Sequence, residues 1–583
     1  MRRFAICGIF LGLLSTSLLH ASPPGTTLVS FKLNTIDGKA WSLDDCKDKK
    51  AVVVLFIGTQ CPINNAYMPK LVEMEKDYAA KGVQFVAINA NSHDTLDKIA
   101  NHAKKHGLTF PVLRDEKQQV AMLFGAERHP TAYLLDADHK IRYEGRIDDQ
   151  FGVGYQRPQP TRRDLVEAID EVLAGKAVTK ASTPVEGCFI TKAPAVNTAK
   201  TDVTYAKDIS RIVQNRCQEC HRPGQIGPMP LLTYNDASSW AQMIREVVSD
   251  NRMPPWHADP KHGKFKNDRR LSDDERGKLL AWIDAGCPQG DDKDLPAPKK
   301  FVEGWSIGQP DAVFTMPKAF TVPAKTPPGG VRYQHFFVPT NFTEDKWVQA
   351  VEAKPGNHAV VHHIIVYVAV GGKLVKNAGD GVGGGMLVPY APGDLGAVFP
   401  AGTAKKVPKG ATLVFQMHYT PNGIEQIDQS CVGMIFAKEP PKVASNTRGI
   451  AQQALIIPAN ADNHKVTSRT TFSKDAVLYS LFPHMHLRGK SFYFEVVYPD
   501  GKRDMLLNVP RYDFGWQSNY ILENPLNLPA GTKIECTAHF DNSPKNPNNP
   551  DPTRLVFWGE QTWQEMMIGF VEYSYVEGGS DKK

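Results

Sequence analysis

The hydrophobic pattern changes character twice along this chain. Between residues 27 and 179, β-branched apolar runs at 51–58, 83–89 and 131–136 alternate with a segment at 66–81 whose apolar positions recur at helical spacing. That alternation predicts an α/β domain, a sheet covered by helices. Between 202 and 289 the pattern turns helical. Residues 205–214 read as an amphipathic helix, and Ser272 with Glu275 forms a capping box for a helix running to Ala285 that carries Leu279, Leu280, Trp282 and Ile283. A small all-α domain is expected there. Beyond residue 300, short apolar runs are broken by Gly, Pro and Asn, the pattern of all-β sandwiches, and the stretch 438–446 divides them into halves at 301–440 and 447–577. A Pro/Ala/Thr-rich stretch at 180–201 and the stretch 288–300 read as linkers.

Residues 1–22 read as a signal peptide, with Arg2 and Arg3 as the charged start, an apolar stretch at 4–19 and Ala21 at a position suited to cleavage. The apolar run is short for a bilayer span, Cys7 stands too early for a lipoprotein site, and no later segment approaches a transmembrane run. The mature protein is therefore expected outside the cytoplasm, periplasmic or secreted, without an integral membrane span. At 583 residues, 42% of them hydrophobic and 9% aromatic, the chain is large enough for several cores. A net charge of +6 is slight for this size, and without a basic stripe it makes no case for nucleic acid.

Cys61 lies in Phe56-Ile57-Gly58-Thr59-Gln60-Cys61-Pro62, between the first strong strand and the helical pattern. At a helix N-terminus, backbone N–H groups and the dipole stabilise a thiolate. This segment, with His129-Pro130-Thr131 further on, resembles thioredoxin and peroxiredoxin-like domains, which implies a redox role for Cys61 and a cis-proline at Pro130. Two departures follow. Asn64 occupies the place of the second cysteine in a Cys-X-X-Cys pair, which excludes an ordinary dithiol reductase, and Gly58 breaks the Thr-X-X-Cys pattern of peroxiredoxins. Cys46 and Cys188 are the alternative resolving thiols, and a degenerate fold kept for packing or docking is the other reading.

Cys217-Gln218-Glu219-Cys220-His221 is a c-type haem attachment signature, in which both sulfurs bond covalently to the porphyrin and the histidine ligates iron. With its flanking helices it resembles a small cytochrome c, which implies one covalent haem c. For the sixth ligand Met253 is favoured, because the prolines of Arg252-Met253-Pro254-Pro255-Trp256 stiffen the segment that presents its sulfur; Met229 and His257 are the rivals.

Four short segments further on carry possible copper ligands: Val361-His362-His363, Gln416-Met417-His418-Tyr419, Pro483-His484-Met485-His486 and Thr562-Trp563-Gln564-Glu565-Met566. Imidazole suits copper in both oxidation states, and a thioether favours Cu(I). A His-X-His on a strand places both rings on one face, whereas adjacent His362 and His363 need a bulge or two different ring nitrogens to share an ion. In order and neighbouring residues the four segments resemble the copper type II, ascorbate-dependent monooxygenases, typified by peptidylglycine alpha-hydroxylating and dopamine beta-monooxygenase. The resemblance covers about the last 280 residues and implies two jelly-roll-like β-sandwich copper domains. It implies two copper ions: His362, His363 and His418 would hold the electron-donating one, and His484, His486 and Met566 the oxygen-binding, catalytic one. Phe482 replaces the arginine that holds a substrate carboxylate in the peptide-hydroxylating member, which disfavours a C-terminal glycine peptide. Met567 replaces a disulfide-forming cysteine, leaving Cys536 free or paired elsewhere, with Cys431 the candidate.

The pattern Gly379-Asp380-Gly381-Val382-Gly383-Gly384 matches a dinucleotide fingerprint but lacks the strand-turn-helix it requires, and reads as a loop. The expected function is O2-dependent hydroxylation of a C–H bond on a small-molecule or peptide-like substrate, with electrons from an ascorbate-like reductant or a redox protein relayed by the three-histidine copper and the haem. The alternatives are a non-catalytic electron-transfer or copper-handling protein, and a thiol peroxidase or assembly factor using Cys61.

Overall fold

The computed structural model describes residues 22–192, 202–327, 330–375 and 384–576. The expected signal peptide, except Ser22, and the Gly379–Gly384 loop, except Gly384, lie outside these residues, as does the linker stretch 193–201.

The N-terminal α/β domain is built on β1 (Lys32–Thr35), β2 (Ala40–Ser42), β3 (Ala51–Phe56), β4 (Val83–Asn89), β5 (Val112–Arg114), β6 (Arg128–His129), β7 (Thr131–Asp136) and β8 (Ile141–Gly145). All but β6 form one sheet in the order β2-β1-β5-β4-β3-β7-β8, with β3 parallel to β4 and antiparallel to β7. Every residue of β3 is buried, and alternation sends its side chains to two cores. Val53 and Leu55 join the face covered by α1 (Pro62–Ala79) and by α4 (Asp164–Leu173), with Ile99 of α2 (Leu96–Lys105); Val52, Val54 and Phe56 join the face covered by α3 (Gln119–Phe124). The structure corrects two boundaries. The strand ends at Phe56 rather than 58, and α1 begins at Pro62, well before the periodicity sets in at 66, because a proline's fixed φ suits the first helical position. A short strand β9 (Cys188–Phe189) then returns to pair antiparallel with β6.

The helical segment contains α5 (Ser210–Arg216), α6 (Tyr234–Ser239), α7 (Ala241–Ser249) and α8 (Asp273–Asp284), around Ile209, Val213, Trp240, Leu279 and Trp282. Residues 205–214 are not one α-helix: Tyr205–Ile209 is a π-helical turn, with the Ile209 N–H reaching the Thr204 carbonyl at 3.2 Å. Part of the stretch between α7 and α8 leaves this core, although Leu271 returns to it. Trp256 and Phe265 pack against Tyr520 inside the last β domain, where Phe265 bridges Leu522.

The C-terminal region is β-rich and divides into two domains, each of two facing sheets. The first contains β10 (Ala312–Thr315), β11 (Gln334–Pro339), β12 (Lys346–Lys354), β13 (Val361–Val370), β14 (Met386–Tyr390), β15 (Thr403–Val407), β16 (Thr412–Tyr419) and β17 (Cys431–Phe436). One sheet runs β10-β17-β12-β15 and the other β11-β16-β13, with β14 paired to β13. Val348, Val351 and Met434 of one sheet meet Ile364, Val366 and Phe415 of the other. The second contains β18 (Asn446–Ala451), β19 (His464–Thr471), β20 (Ala476–His484), β21 (Gly489–Val497), β22 (Arg503–Val509), β23 (Tyr520–Leu528), β24 (Lys533–Phe540) and β25 (Ile568–Tyr575), in sheets β18-β25-β20-β23 and β19-β24-β21-β22. An apolar seam joins the two domains: Ile365 and Met386 meet Phe482, Ile568 and Phe570, and buried Lys405 pairs with Glu572 at 3.1 Å. Cys431 in β17 and Cys536 in the second domain's core are both free, so the pairing considered from the sequence does not form. Among the described residues no helix is long and apolar enough to cross a membrane.

Candidate metal and thiol sites

His362 and His363 lie in β13 and His418 in the neighbouring β16, where His363 and His418 are register partners. The register shifts between Val361 and His363, and this irregularity lets adjacent histidines turn toward one point. The Nδ1 atoms of His362 and His363 are 3.0 Å apart, and those of His418 and His362 are 3.2 Å apart. One ligand atom from each of the three lies within 4.8 Å of the others. Burial lowers the pKa of His362 to about 4, and burial with the neighbouring imidazoles holds His363 and His418 well below the usual histidine range. At neutral pH these rings are uncharged and bring their ring nitrogens together, where they can share a cation. The donor set fits copper.

Across the seam lie His484 and His486, with ring centroids 5.2 Å apart. The strand ends at His484, so His486 follows it rather than continuing it, and fully buried Met485 fills the core between them. Gln517 Oε1 accepts from His484 Nδ1 at 2.6 Å and the Gln564 carbonyl from His486 Nδ1 at 3.3 Å, leaving Nε2 of each ring to face a ligand. Buried His486 Nε2 has no hydrogen-bond partner among the described residues. Met566 joins the apolar cluster of Phe482 and Phe570, and the Phe570 ring lies 6.3 Å from His484. Phe482 stacks on Phe570 at 5.7 Å, an apolar contact with no cation for a substrate carboxylate.

The two histidine sets meet. The ring centroids of His363 and His484 are 6.4 Å apart. Phe514 stacks on His362 at 4.9 Å and lies 6.0 Å from His486, while buried Tyr333 lies 4.9 Å from His418 and 6.4 Å from His486. Sequence reasoning missed Phe514, Tyr333, Gln517 and the fully buried Glu565, which accepts from the backbone N–H groups of His486 at 2.9 Å and Arg488 at 2.6 Å. Only the aromatic run Tyr512-Asp513-Phe514-Gly515-Trp516 offered a signal, and nothing in it named a partner.

In the helical segment, Cys217 ends α5 and the Met229 carbonyl accepts from His221 Nδ1 at 3.1 Å, which leaves His221 Nε2 as the ligand atom. A Cβ on Gly227 would lie 2.8 Å from His221 Nδ1, so the loop closes on the ring only with glycine there. Cys217 and Cys220 are both free thiols, as haem attachment requires. A cleft of about 930 Å³ opens beside Arg216, the residue before Cys217, and is lined by Met253, Trp256, His257 and Arg511. Two thiols and an imidazole are the donor types that a c-type haem uses, but Cys217, Cys220 and His221 themselves do not line this cleft. Both Met253 and His257 face the cleft, and His257 Nε2 is buried without a partner among the described residues.

In the N-terminal domain Cys61 is the N-cap of α1. Its Sγ accepts from the Asn64 N–H at 3.5 Å and donates to the His129 carbonyl at 3.6 Å. Asn64, in the place of a second cysteine, donates to the Gly58 carbonyl at 2.7 Å and so ties the first helical turn to the strand end. The His129–Pro130 peptide is cis. The AhpC/TSA family matches residues 24–144. Thiol-disulfide oxidoreductase ResA of Bacillus thuringiensis (strain Al Hakam) is 33% identical over 117 residues, 20% of this chain and 66% of that protein. ResA of Bacillus cereus (strain ATCC 10987 / NRS 248) is 32% identical over 120 residues, 21% of this chain and 68% of that protein. The chain spans about two thirds of the length of the curated relatives it matches. Through its N-terminal domain the chain belongs to the AhpC/TSA family. Among solved structures, a hypothetical protein of Sinorhizobium meliloti 1021 is 34% identical, covering 29% of this chain and 95% of that chain, with a TM-score of 0.28.

The AhpC/TSA domain, thioredoxin-like in fold, does not stand apart from the rest. A Cβ on Gly423 of the first β domain would lie 1.9 Å from the Asn65 carbonyl oxygen, so the loop before β17 reaches the start of α1 closely. Lys325 pairs with Glu73 of α1, and Arg128 of β6 pairs with Glu246 of α7. The domain thus touches both the helical segment and the β-rich region.

Proposed function

We propose that the chain is an exported copper- and haem-containing oxidoreductase that uses O2 to hydroxylate a C–H bond of a small-molecule or peptide-like substrate. One observation carries the reading: three uncharged imidazoles, two of them buried, bring their Nδ1 atoms together beside a second, buried histidine pair. Copper in such sites supplies one-electron chemistry toward O2. The chain's own residues keep that chemistry in place. Burial holds the rings deprotonated, Gln517 and the Gln564 carbonyl fix the orientation of His484 and His486, and Glu565 anchors the backbone that carries His486. Phe514 and Tyr333 each pack against rings of both sets. His362, His363 and His418 would hold one copper, and His484, His486 and Met566 the other, on β-sandwich domains of the jelly-roll kind.

Cys217, Cys220 and His221 would hold one haem c in a cytochrome c-like segment, with Met253 or His257 as sixth ligand, and electrons from an ascorbate-like reductant or redox protein would enter there. Phe482 against Phe570 supports a substrate without a recognition carboxylate. The test is composition followed by turnover. The exported protein should contain one haem that resists acid-acetone extraction and two coppers, and should consume O2 with a member of a C–H substrate panel. Full metal content without O2 uptake would leave an electron-transfer or copper-handling protein. Cys61 at the N-cap of an AhpC/TSA domain favours a second reading, thiol chemistry with the metal domains as accessories, and peroxide consumption that depends on Cys61 would support it.

A further inference from the structure

We propose that Cys61 and Cys188 form a reversible disulfide, a redox site assembled from the AhpC/TSA domain and the strand that follows it, which exchanges with external thiols. Both cysteines are built onto His129. Cys61 Sγ donates to the His129 carbonyl at 3.6 Å, and Cys188 is the register partner of His129 in the β6–β9 pair. The two thiols are close enough for each to shift the acidity of the other. Close approach is built into the backbone, because a Cβ on Gly187 would lie 2.2 Å from the His129 carbonyl oxygen. Gly58 plays the same part on the other side: its Cβ would meet the His129 ring at 2.3 Å. The ring so clasped is 1% exposed, and neither nitrogen has a hydrogen-bond partner among the described residues.

Electrostatics make the pair asymmetric. Burial alone would push the Cys61 thiol up, but its hydrogen bond with Cys188 and the nearby His129 outweigh this and hold it well below the usual thiol value. Cys188 is held high by Cys61 and by burial. Cys61 has no exposed surface, whereas Cys188 is partly exposed, so an external thiol reaches Cys188 first. The external thiolate attacks Cys188 Sγ, the Cys61–Cys188 bond breaks, and Cys61 leaves with the electron pair, the better leaving group being the more acidic thiol. A second external thiol then displaces Cys188, which takes a proton. Two external thiols become one disulfide, and the chain's disulfide becomes two thiols. The other resolving thiol considered, Cys46, packs with Leu43 and Val52, and burial raises its pKa to about 11.

This inference is independent of the copper reading. The full chain would be equilibrated in glutathione buffers of graded oxidation, acid-quenched, alkylated and digested with trypsin without reduction. The tryptic peptides 51–70 and 181–192 should be found joined in oxidising buffer and separate in reducing buffer. With Cys188→Ser, peptide 51–70 should carry glutathione or a free thiol in place of the cross-link. Fully alkylated Cys61 in the unmodified chain at every ratio, or peptide 51–70 joined to the peptide containing Cys46, would overturn the assignment without requiring any variant to fold.

Discussion

Burial sets the protonation of most histidines that matter here, and the AhpC/TSA domain shows its energetic side. Burial lowers His102 to about 3 and His93 and His106 to about 4, each from an ordinary value of 6.5. The unfolded chain takes up these protons near 6.5 while the folded domain does not, so the stability they represent is present in full above that pH. It is lost as pH falls toward 4, by up to about 3 kcal/mol for each ring. The denaturation midpoint should be level above neutrality and fall steadily below about pH 6.5. A midpoint unchanged down to pH 4 would show that these rings are solvated. Met566 poses a sharper question at the same scale. Met566→Ile keeps an apolar side chain of similar size in the cluster with Phe482 and Phe570, so folding stability should change by less than about 1.5 kcal/mol. Hydroxylation should nevertheless collapse, since only the sulfur is lost. Unchanged turnover and unchanged carbon monoxide binding at reduced copper would make Met566 packing alone.

At the scale of elements, the informative places are where regularity fails. A regular β13 would send His362 and His363 to opposite faces; the register shift at Val361/His363 brings both to the triad. The strand ending at His484 frees the His486 backbone N–H to donate to Glu565. Neither irregularity is written in the local sequence, because each arises from how the neighbouring strands meet. The β6–β9 pair depends on a glycine in the same way. Gly187 has φ of +155° and no room for a Cβ, so Gly187→Ala should cost about 1–3 kcal/mol and loosen β9. The expected readout is a lower thermal midpoint together with a smaller yield of the joined 51–70 and 181–192 peptides. A full yield with unchanged stability would mean that the strand approaches by another route.

At the scale of the whole molecule, one stretch joins the candidate centres. Pro510 and Arg511 line the cleft beside the helical segment, Phe514 stacks on His362, and Gln517 holds His484. Trp256 and Phe265 of the helical segment are embedded in the core of the last β domain, so the cleft and the histidine sets are fixed relative to each other by shared packing. Haem reduced by a small donor should therefore be reoxidised by O2 faster in copper-loaded than in copper-free protein, and Phe514→Leu should narrow the difference. Equal rates with and without copper would remove the relay while leaving the metal sites standing.

The sequence by itself determined what is local or periodic. The buried run of β3, the capping box of α8, the position of Cys61 before a helix and the identities of the histidines in four short segments were legible because side-chain period, cap chemistry and ligand type act over a few residues. Tertiary structure alone decided what depends on distant segments meeting. It set the two histidine sets within 6.4 Å of each other, placed Tyr333 and Phe514 over them, left Cys431 and Cys536 apart, and brought Cys188 to Cys61. No pattern along the chain encodes those contacts, because strand pairing and sheet packing set them, and each partner lies in a segment whose own sequence is satisfied by its local fold.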